Sequence, residues 1–259
     1  MQKFYKKDRQ KFDELLWNKK KETEVEKRFY KKTEKYLRFI KWIPGLRMIW
    51  IGNSISMNSA TKNSDIDLFI VTDKNRMWLV RILITLIFQI LQVRKTDKKH
   101  AWRFCLSFFC EIDWLDFSSF ALKKDPYLYF WILYFKPILD FWNTYDLFLE
   151  KNSSWACFEE FKDILENNKK YIKYKKQKNK NKLNVTNKIV DKLKIEKQEV
   201  KEPYYKKFLN KINKIFKEIF LAKTLKNYKK LWKPYWIIIN DKILKFHNWD
   251  IRKKVSKKF

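Results

Sequence analysis

The sequence predicts an α/β or α+β protein in which a small mixed sheet is flanked by helices. Three short apolar runs bounded by turn residues, at 46–51, 66–71 and 102–112, have the length and composition of buried strands. Segments with helical periodicity separate and follow them. Hydrophobic residues make up 46% and aromatic residues 18% of the 259 positions, so the chain can build a substantial core.

Turn-forming residues set the boundaries of these elements. Pro44-Gly45 ends the first helical segment, and Asp125-Pro126 supplies a cap and a first-turn residue for a later aromatic helix. The two glycines of the chain, Gly45 and Gly52, bracket one strand, where they permit close backbone approach or serve ordinary turns. In chain order the predicted elements are helix 8–41, strand 46–51, polar turn 53–64, strand 66–71, helix 76–92, strand 102–112, an aromatic helix at 127–142 with a kink at Pro137, helical character at 145–166, helix 204–232 and strand 236–239.

Composition and periodicity divide the chain into five segments. They are an N-terminal helical extension at 1–24, a sheet-bearing core at 25–120, packed helices at 121–166, a Lys- and Asn-rich linker at 167–203, and an additional C-terminal helix/strand unit at 204–259. The basic linker is either a solvated connector or a nucleic-acid-binding segment, with stacking surfaces at Tyr171, Tyr174, Tyr204 and Tyr205.

The formal net charge of +31 favours a polyanionic partner such as nucleic acid, a nucleotide or an anionic membrane. Richness in lysine and asparagine with few glycines is equally typical of an AT-rich genome, so charge alone assigns no function. Cys105, Cys110 and Cys157 include no CxxC pair, and the two histidines are isolated. This pattern argues against a disulfide framework or a zinc site and favours a reducing cytoplasm.

Two apolar stretches are too interrupted to predict membrane spans. Residues 77–93 contain Arg81 and are shorter than the roughly 20 residues that a span requires. The polar residues of this stretch fall on one helical stripe, namely Arg81, Thr85, Gln89 and Gln92. Such a stripe favours a helix packed against a sheet. Residues 127–142 are broken by a lysine, a proline and an aspartate, so a membrane partner is not favoured.

The turn and the strand that follow Gly52 carry the residues with the clearest chemical meaning. Asp65 and Asp67 are two positions apart on a predicted strand and therefore point to the same face. Two carboxylates this close repel each other unless a cation compensates, and Mg²⁺ combines oxygen ligands with substrate phosphates. The turn at Asn53 and Ser54 offers backbone N–H groups and a hydroxyl that suit phosphate oxygens. The alternative is an exposed acidic strand edge without a ligand.

This segment resembles the signature of the DNA polymerase β superfamily of nucleotidyltransferases. That signature is a hydrophobic strand, Gly with Gly or Ser, a spacer, and Asp-h-Asp-h, where h is apolar. Asn53-Ser54, the spacer 55–64 and Asp65-Ile66-Asp67-Leu68 match it in order and spacing. A group of uncharacterised bacterial nucleotidyltransferase-domain proteins is similar over a wider span, at 43–81, 136–155 and 244–254. The resemblance implies a nucleotidyltransferase-like core at 25–120.

The resemblance also implies a reaction and a set of site residues. A nucleoside monophosphate would pass from an NTP such as ATP to an unidentified acceptor, with Mg²⁺ held by Asp65 and Asp67. Gly52, Asn53 and Ser54 would meet the phosphates. Arg76, at the start of the next helix, either reaches the triphosphate or serves as a helix cap and surface charge.

Two positions depart from the family pattern. Asn53 stands where glycine is usual, although asparagine tolerates a left-handed backbone. The third carboxylate expected on a neighbouring strand is either Glu111 or is absent. Alternation along that strand places five residues on one face: Arg103, Cys105, Ser107, Phe109 and Glu111. We therefore expect Glu111 to complete the metal shell if the site has three carboxylates.

Two alternatives to an active enzyme stay open on sequence grounds. The first is a catalytically degenerate member of the superfamily that binds nucleotide or nucleic acid, because the third carboxylate is not assured. The second is a peripheral membrane protein that uses its basic and aromatic surface. The sequence leaves open the acceptor, the preferred NTP and the oligomeric state.

Overall fold

A mixed β-sheet with helices on both faces forms the body of the chain, which a computed structural model describes at residues 1–19, 21–176, 204–230, 237–246 and 251–259. The helices are α1 (Lys6–Leu15), α2 (Glu24–Leu37), α3 (Asn53–Ser56), α4 (Met77–Ile90), α5 (Pro126–Tyr134), α6 (Thr144–Asn152), α7 (Lys162–Asn168), α8 (Tyr204–Lys230) and α9 (Arg252–Ser256). The strands are β1 (Gln2–Lys3), β2 (Leu46–Ile51), β3 (Ile66–Thr72), β4 (Phe104–Glu111), β5 (Lys136–Phe141), β6 (Ala156–Cys157), β7 (Tyr174–Lys176), β8 (Ile237–Ile239) and β9 (Ile243–Phe246).

The main sheet has seven strands in the described ranges, in the order β7-β5-β2-β3-β4-β9-β8. β2 pairs antiparallel with β3 and β5, whereas β3 pairs in parallel with β4. A separate two-stranded sheet joins β1 to β6. The predicted fold class, a mixed sheet flanked by helices, is therefore confirmed.

The central strands alternate between two hydrophobic cores, one on each face of the sheet. On the α5 side, the ring of Trp50 stacks at 4.5 Å on Phe69 and at 4.6 Å on Phe135. Ile49 and Ile70 point to the opposite face, which α2 and α4 cover. Because both faces are buried, β2 and β3 read as nearly continuous apolar runs.

The strongest local patterns locate their elements correctly. The predictions confirmed to within a few residues are strands 46–51, 66–71 and 102–112 and helices 76–92 and 204–232. None of the helices in the described ranges combines the length and the apolarity that a membrane crossing requires.

Two predicted helical regions are divided in the structure. The region 8–41 contains α1 and α2, because Thr23 and Glu26 form a capping box that begins a new helix. The region 145–166 is interrupted by β6, which pairs with β1 and separates α6 from α7.

The prediction that the aromatic helix continues through a kink at Pro137 is wrong. α5 ends at Tyr134, and the chain continues as strand β5. Proline disfavours helical backbone at the preceding residue, here Lys136, and so favours the change to an extended conformation. The register between β2 and β5 shifts between Ile49 and Trp50, beside Pro137, and proline is tolerated in sheets at such irregularities.

The C-terminal segment adds strands to the same sheet. β9 pairs antiparallel with β4, and β8 pairs with β9. α8 packs on α4. Within the predicted basic linker, Tyr174–Lys176 pairs with β5, while 177–203 lie outside the described residues, as do Trp236 and His247.

Candidate functional site

The two aspartates of the Asp-x-Asp motif lie at the beginning of β3, beside the turn that follows β2. Asp67 is in the strand and Asp65 immediately precedes it, and both are partly exposed. Ile66 and Leu68 are buried in the core on the other face. The structure therefore confirms that the two carboxylates share one side of the sheet, the side that α5 covers.

A hydrogen-bonded bridge joins the turn to these aspartates. The Asn53 side-chain Nδ2 donates to Asp67 Oδ2 at 2.7 Å, and the Gly52 backbone N–H donates to the Asp67 carbonyl at 3.1 Å. The Trp131 indole N–H donates to Asn53 Oδ1 at 2.8 Å. Since an indole nitrogen only donates, this contact fixes which end of the amide faces Asp67.

The backbone of the turn is suited to the residues found there. Asn53 has a φ of 54°, so the left-handed conformation expected at this position is confirmed. A Cβ atom at Gly52 would lie 3.2 Å from a ring carbon of Phe135, so glycine allows the turn to approach the aromatic layer closely. The Ser54 carbonyl accepts a hydrogen bond from the Ser59 N–H at 2.8 Å, which closes the turn.

Burial and mutual repulsion dominate the electrostatics of the acidic pair at Asp67. Burial, and then repulsion from Asp65, raises the pKa of Asp67 to about 6, against the lowering effects of hydrogen bonds from Asn53 and Cys105. The Lys95 Nζ lies 2.7 Å from Asp65 Oδ2. Burial alone would lower the pKa of Lys95, but the hydrogen bond to Asp65 and the nearby negative charges raise it. The pair therefore already attracts one cationic group.

The third side chain at the cluster is Cys105 and not Glu111. In the parallel pairing of β3 with β4, Cys105 lies beside Asp67, whereas Glu111 lies beside Thr72 at the other end of the strands. Ligand atoms of Asp65, Asp67 and Cys105 all lie within 4.8 Å of one another. Glu111 is buried, and its Oε2 accepts a hydrogen bond from Lys242 Nζ at 2.8 Å. This placement corrects the expectation that Glu111 completes the metal shell.

Arg76 also lies away from the cluster. It follows the far end of β3, where its side chain is buried and packs against Gly45. Its guanidinium donates to the Asn210 side chain and to the backbone carbonyl of Lys206 at 3.0 Å. Arg76 therefore anchors α8, which corrects the expectation of a triphosphate contact.

Three residues at the site were not assigned to it from the sequence. Cys105 was recognised on the shared strand face but not as the neighbour of Asp67, because the sequence does not give the pairing register of β3 with β4. Lys95 lies in a basic loop whose direction has no local signal. Trp131 is 78 positions from Asn53, and no pattern in the sequence links the two.

Comparisons of the chain with protein-family models, with curated proteins and with solved structures find no match. A functional interpretation therefore depends on the geometry of the site and on the motif that it contains.

Proposed function

We propose that this chain is a Mg²⁺-dependent nucleotidyltransferase that transfers a nucleoside monophosphate from an NTP to an acceptor hydroxyl or phosphate. The observation that carries the proposal is the bridge from Asn53 to Asp67, because it joins the small polar turn and the acidic pair into one site. In the reaction, the acceptor oxygen bonds to the α-phosphorus, and a hydroxyl acceptor releases its proton to water. The bond from the α-phosphorus to the α,β-bridging oxygen breaks, and pyrophosphate leaves with that oxygen.

The donor set fits a hard divalent cation. Asp65 and Asp67 offer carboxylate oxygens, and Mg²⁺ commonly uses one or two carboxylates together with water and substrate phosphates. When bound, Mg²⁺ neutralises phosphate charge and polarises the reacting phosphoryl group. The pKa of Asp67, raised to about 6, reflects a desolvated carboxylate that a cation would stabilise. Binding of the metal competes with the ion pair between Lys95 and Asp65.

The remaining residues of the site have supporting roles in this proposal. Ser54 and the backbone N–H groups of the turn hold the β- and γ-phosphates. Asn53 acts as a positioning residue, since its amide is already occupied by Asp67 and Trp131. Lys95 is close enough to Asp65 to offset charge when the metal is absent.

A second candidate function is nucleotide binding without transfer. The specific observation that favours it is Cys105, a thiol in the position beside Asp67 where the family pattern leads one to expect a carboxylate. Thiolate is a soft ligand and a poor partner for Mg²⁺. With only two carboxylates in the cluster, the metal would be held more weakly.

Equilibrium binding and turnover together test both functions. The full chain is titrated with ATP with and without Mg²⁺, and is then incubated with α-labelled NTPs and candidate acceptors. We expect Mg²⁺-dependent binding and Mg²⁺-dependent transfer of the α-label to an acceptor, and loss of both in Asp65→Asn/Asp67→Asn. The matched control is Asp116→Asn/Asp146→Asn, which changes two exposed aspartates outside the site. Binding without turnover supports the second function, and binding that is indifferent to Mg²⁺ refutes the first.

A further inference from the structure

Helix α8 has two apolar faces, and only one of them is covered within the described residues. The inner face is anchored on α4, where Asn213 Oδ1 accepts a hydrogen bond from the Leu79 N–H at 2.9 Å. Phe216, Phe220 and Leu221 pack against the adjoining hydrophobic core. A helix that packs through one stripe normally presents charged and polar residues on the other.

The outer face departs from that rule. Its apolar members are spaced four, seven and four residues apart and so form one stripe opposite Asn213. Their exposed fractions are large: Tyr204 86%, Phe208 56%, Ile215 44% and Ile219 58%. Contiguous exposed apolar residues on a stable helix indicate a surface that binds a partner.

The charge of the same helix restricts the partner. The sequence of α8 contains nine lysines and one glutamate, a net charge of +8 by subtraction. Exposed Lys207, Lys211 and Lys214 flank the apolar stripe on one side. A second copy of this chain would bring the same positive charge against it. Nucleic acid would attract the lysines and stack on Tyr204 and Phe208, but Ile215 and Ile219 in the second half of the stripe neither stack on bases nor hydrogen-bond to them.

We propose that the outer face of α8 binds the surface of an anionic phospholipid bilayer. A helix lying in the interface buries its apolar stripe at the boundary of the acyl chains and places its lysines among anionic headgroups. Both the stripe and the charge of α8 are used in this arrangement. The proposal does not depend on the nucleotide site, which lies at the start of β3.

Vesicle flotation of the full chain tests the proposal at roughly physiological ionic strength, about 0.15 M. We expect recovery with vesicles of phosphatidylcholine and phosphatidylserine, and none with phosphatidylcholine alone. The triple variant Phe208→Ser/Ile215→Ser/Ile219→Ser should lose flotation. Each lysine near an anionic surface contributes roughly fivefold in partitioning, so Lys207→Gln/Lys211→Gln/Lys214→Gln should bind about 100-fold more weakly.

The matched control replaces an exposed apolar residue elsewhere: Trp42→Ser, at a side chain that is 70% exposed. Its flotation should equal that of the unaltered chain. Circular dichroism checks that each variant keeps its helix content, and the lysine variant supplies an independent readout if the serine variant unfolds. The proposal is overturned if the unaltered chain floats with neither vesicle, if it binds both equally, or if Trp42→Ser abolishes flotation. Binding to RNA without flotation also overturns it.

Discussion

Replacing Asp67 by asparagine distinguishes a carboxylate kept for binding from one kept for stability. The Asp67 side chain is desolvated beside Asp65, and its pKa is raised from 3.8 to about 6. A carboxyl group whose pKa is higher in the folded state stabilises the fold below the unfolded pKa, and that stabilisation disappears as the pH rises through the folded value. Above about pH 6 the ionised Asp67 therefore lowers the free energy of unfolding.

The size of this effect follows from the shift. About two pKa units at roughly 1.4 kcal/mol each give an upper value near 3 kcal/mol. The asparagine amide still accepts the hydrogen bond from Asn53 but loses the charge that strengthens it. We therefore expect Asp67→Asn to raise the unfolding free energy by about 1–2 kcal/mol at neutral pH, and the melting temperature by roughly 2–8 °C.

Urea unfolding at about pH 4 and about pH 8, with and without Mg²⁺, measures the effect. The variant should match the unaltered chain at the lower pH and exceed it at the higher pH. Added Mg²⁺ should stabilise the unaltered chain and leave the variant unchanged, because only the former retains the acidic pair. Asp116→Asn, at an exposed aspartate, serves as the control and should show neither effect. A variant that is less stable at both pH values would refute the reasoning, since Asp67 would then be a structural residue.

Three further substitutions test contacts made by α5, by its N-cap and by β5. Asp125→Ala removes the N-cap of α5 and the 2.8 Å partner of the buried Arg252 guanidinium, so urea unfolding should show a loss of about 3–5 kcal/mol. A loss below about 1 kcal/mol would contradict a buried ion pair. Burial lowers the pKa of Lys136 to about 8, so the unfolded chain holds its proton more tightly and stability rises with pH above this value. The free energy of unfolding of the unaltered chain, relative to that of Lys136→Met, should therefore rise by about 2–3 kcal/mol between about pH 8 and 10. A difference between the two chains that stays constant with pH would contradict this. Trp131→Phe removes the indole donor to Asn53 and should weaken Mg²⁺-dependent ATP binding roughly tenfold. The free energy of unfolding should change by about 1 kcal/mol or less. Equal affinity for ATP in the variant and the unaltered chain would show that the bridge does not position the site.

The parts of the site that depend on local pattern were predictable from sequence. An apolar run is enough to locate β2 and β3, and the period of two is enough to place Asp65 and Asp67 on one face. The left-handed backbone at Asn53 follows from residue chemistry in a turn.

Features that depend on strand pairing were not predictable in this way. Strict alternation along β4 from Arg103 puts Cys105 and Glu111 on one face, but pairing places Cys105 beside Asp67, and the register shift that follows turns Phe109 to the opposite core and Glu111 with it. In the sequence alone, Pro137 after an aromatic run predicts a helix kink. Its place in a strand depends on pairing with β2, where a register shift accommodates the proline. Arg76 was assigned by its proximity to the motif in sequence, whereas its position is set by contacts with α8.

The contact between Trp131 and Asn53 makes the site observable by nuclear magnetic resonance. Indole N–H signals appear apart from those of backbone amides, and the chain has twelve tryptophans, a number small enough to assign by single substitutions. A ligand that withdraws charge from Asp67 polarises the amide of Asn53 and, through it, the indole N–H. One resonance would thus report occupancy of the acidic pair directly, whatever the ligand.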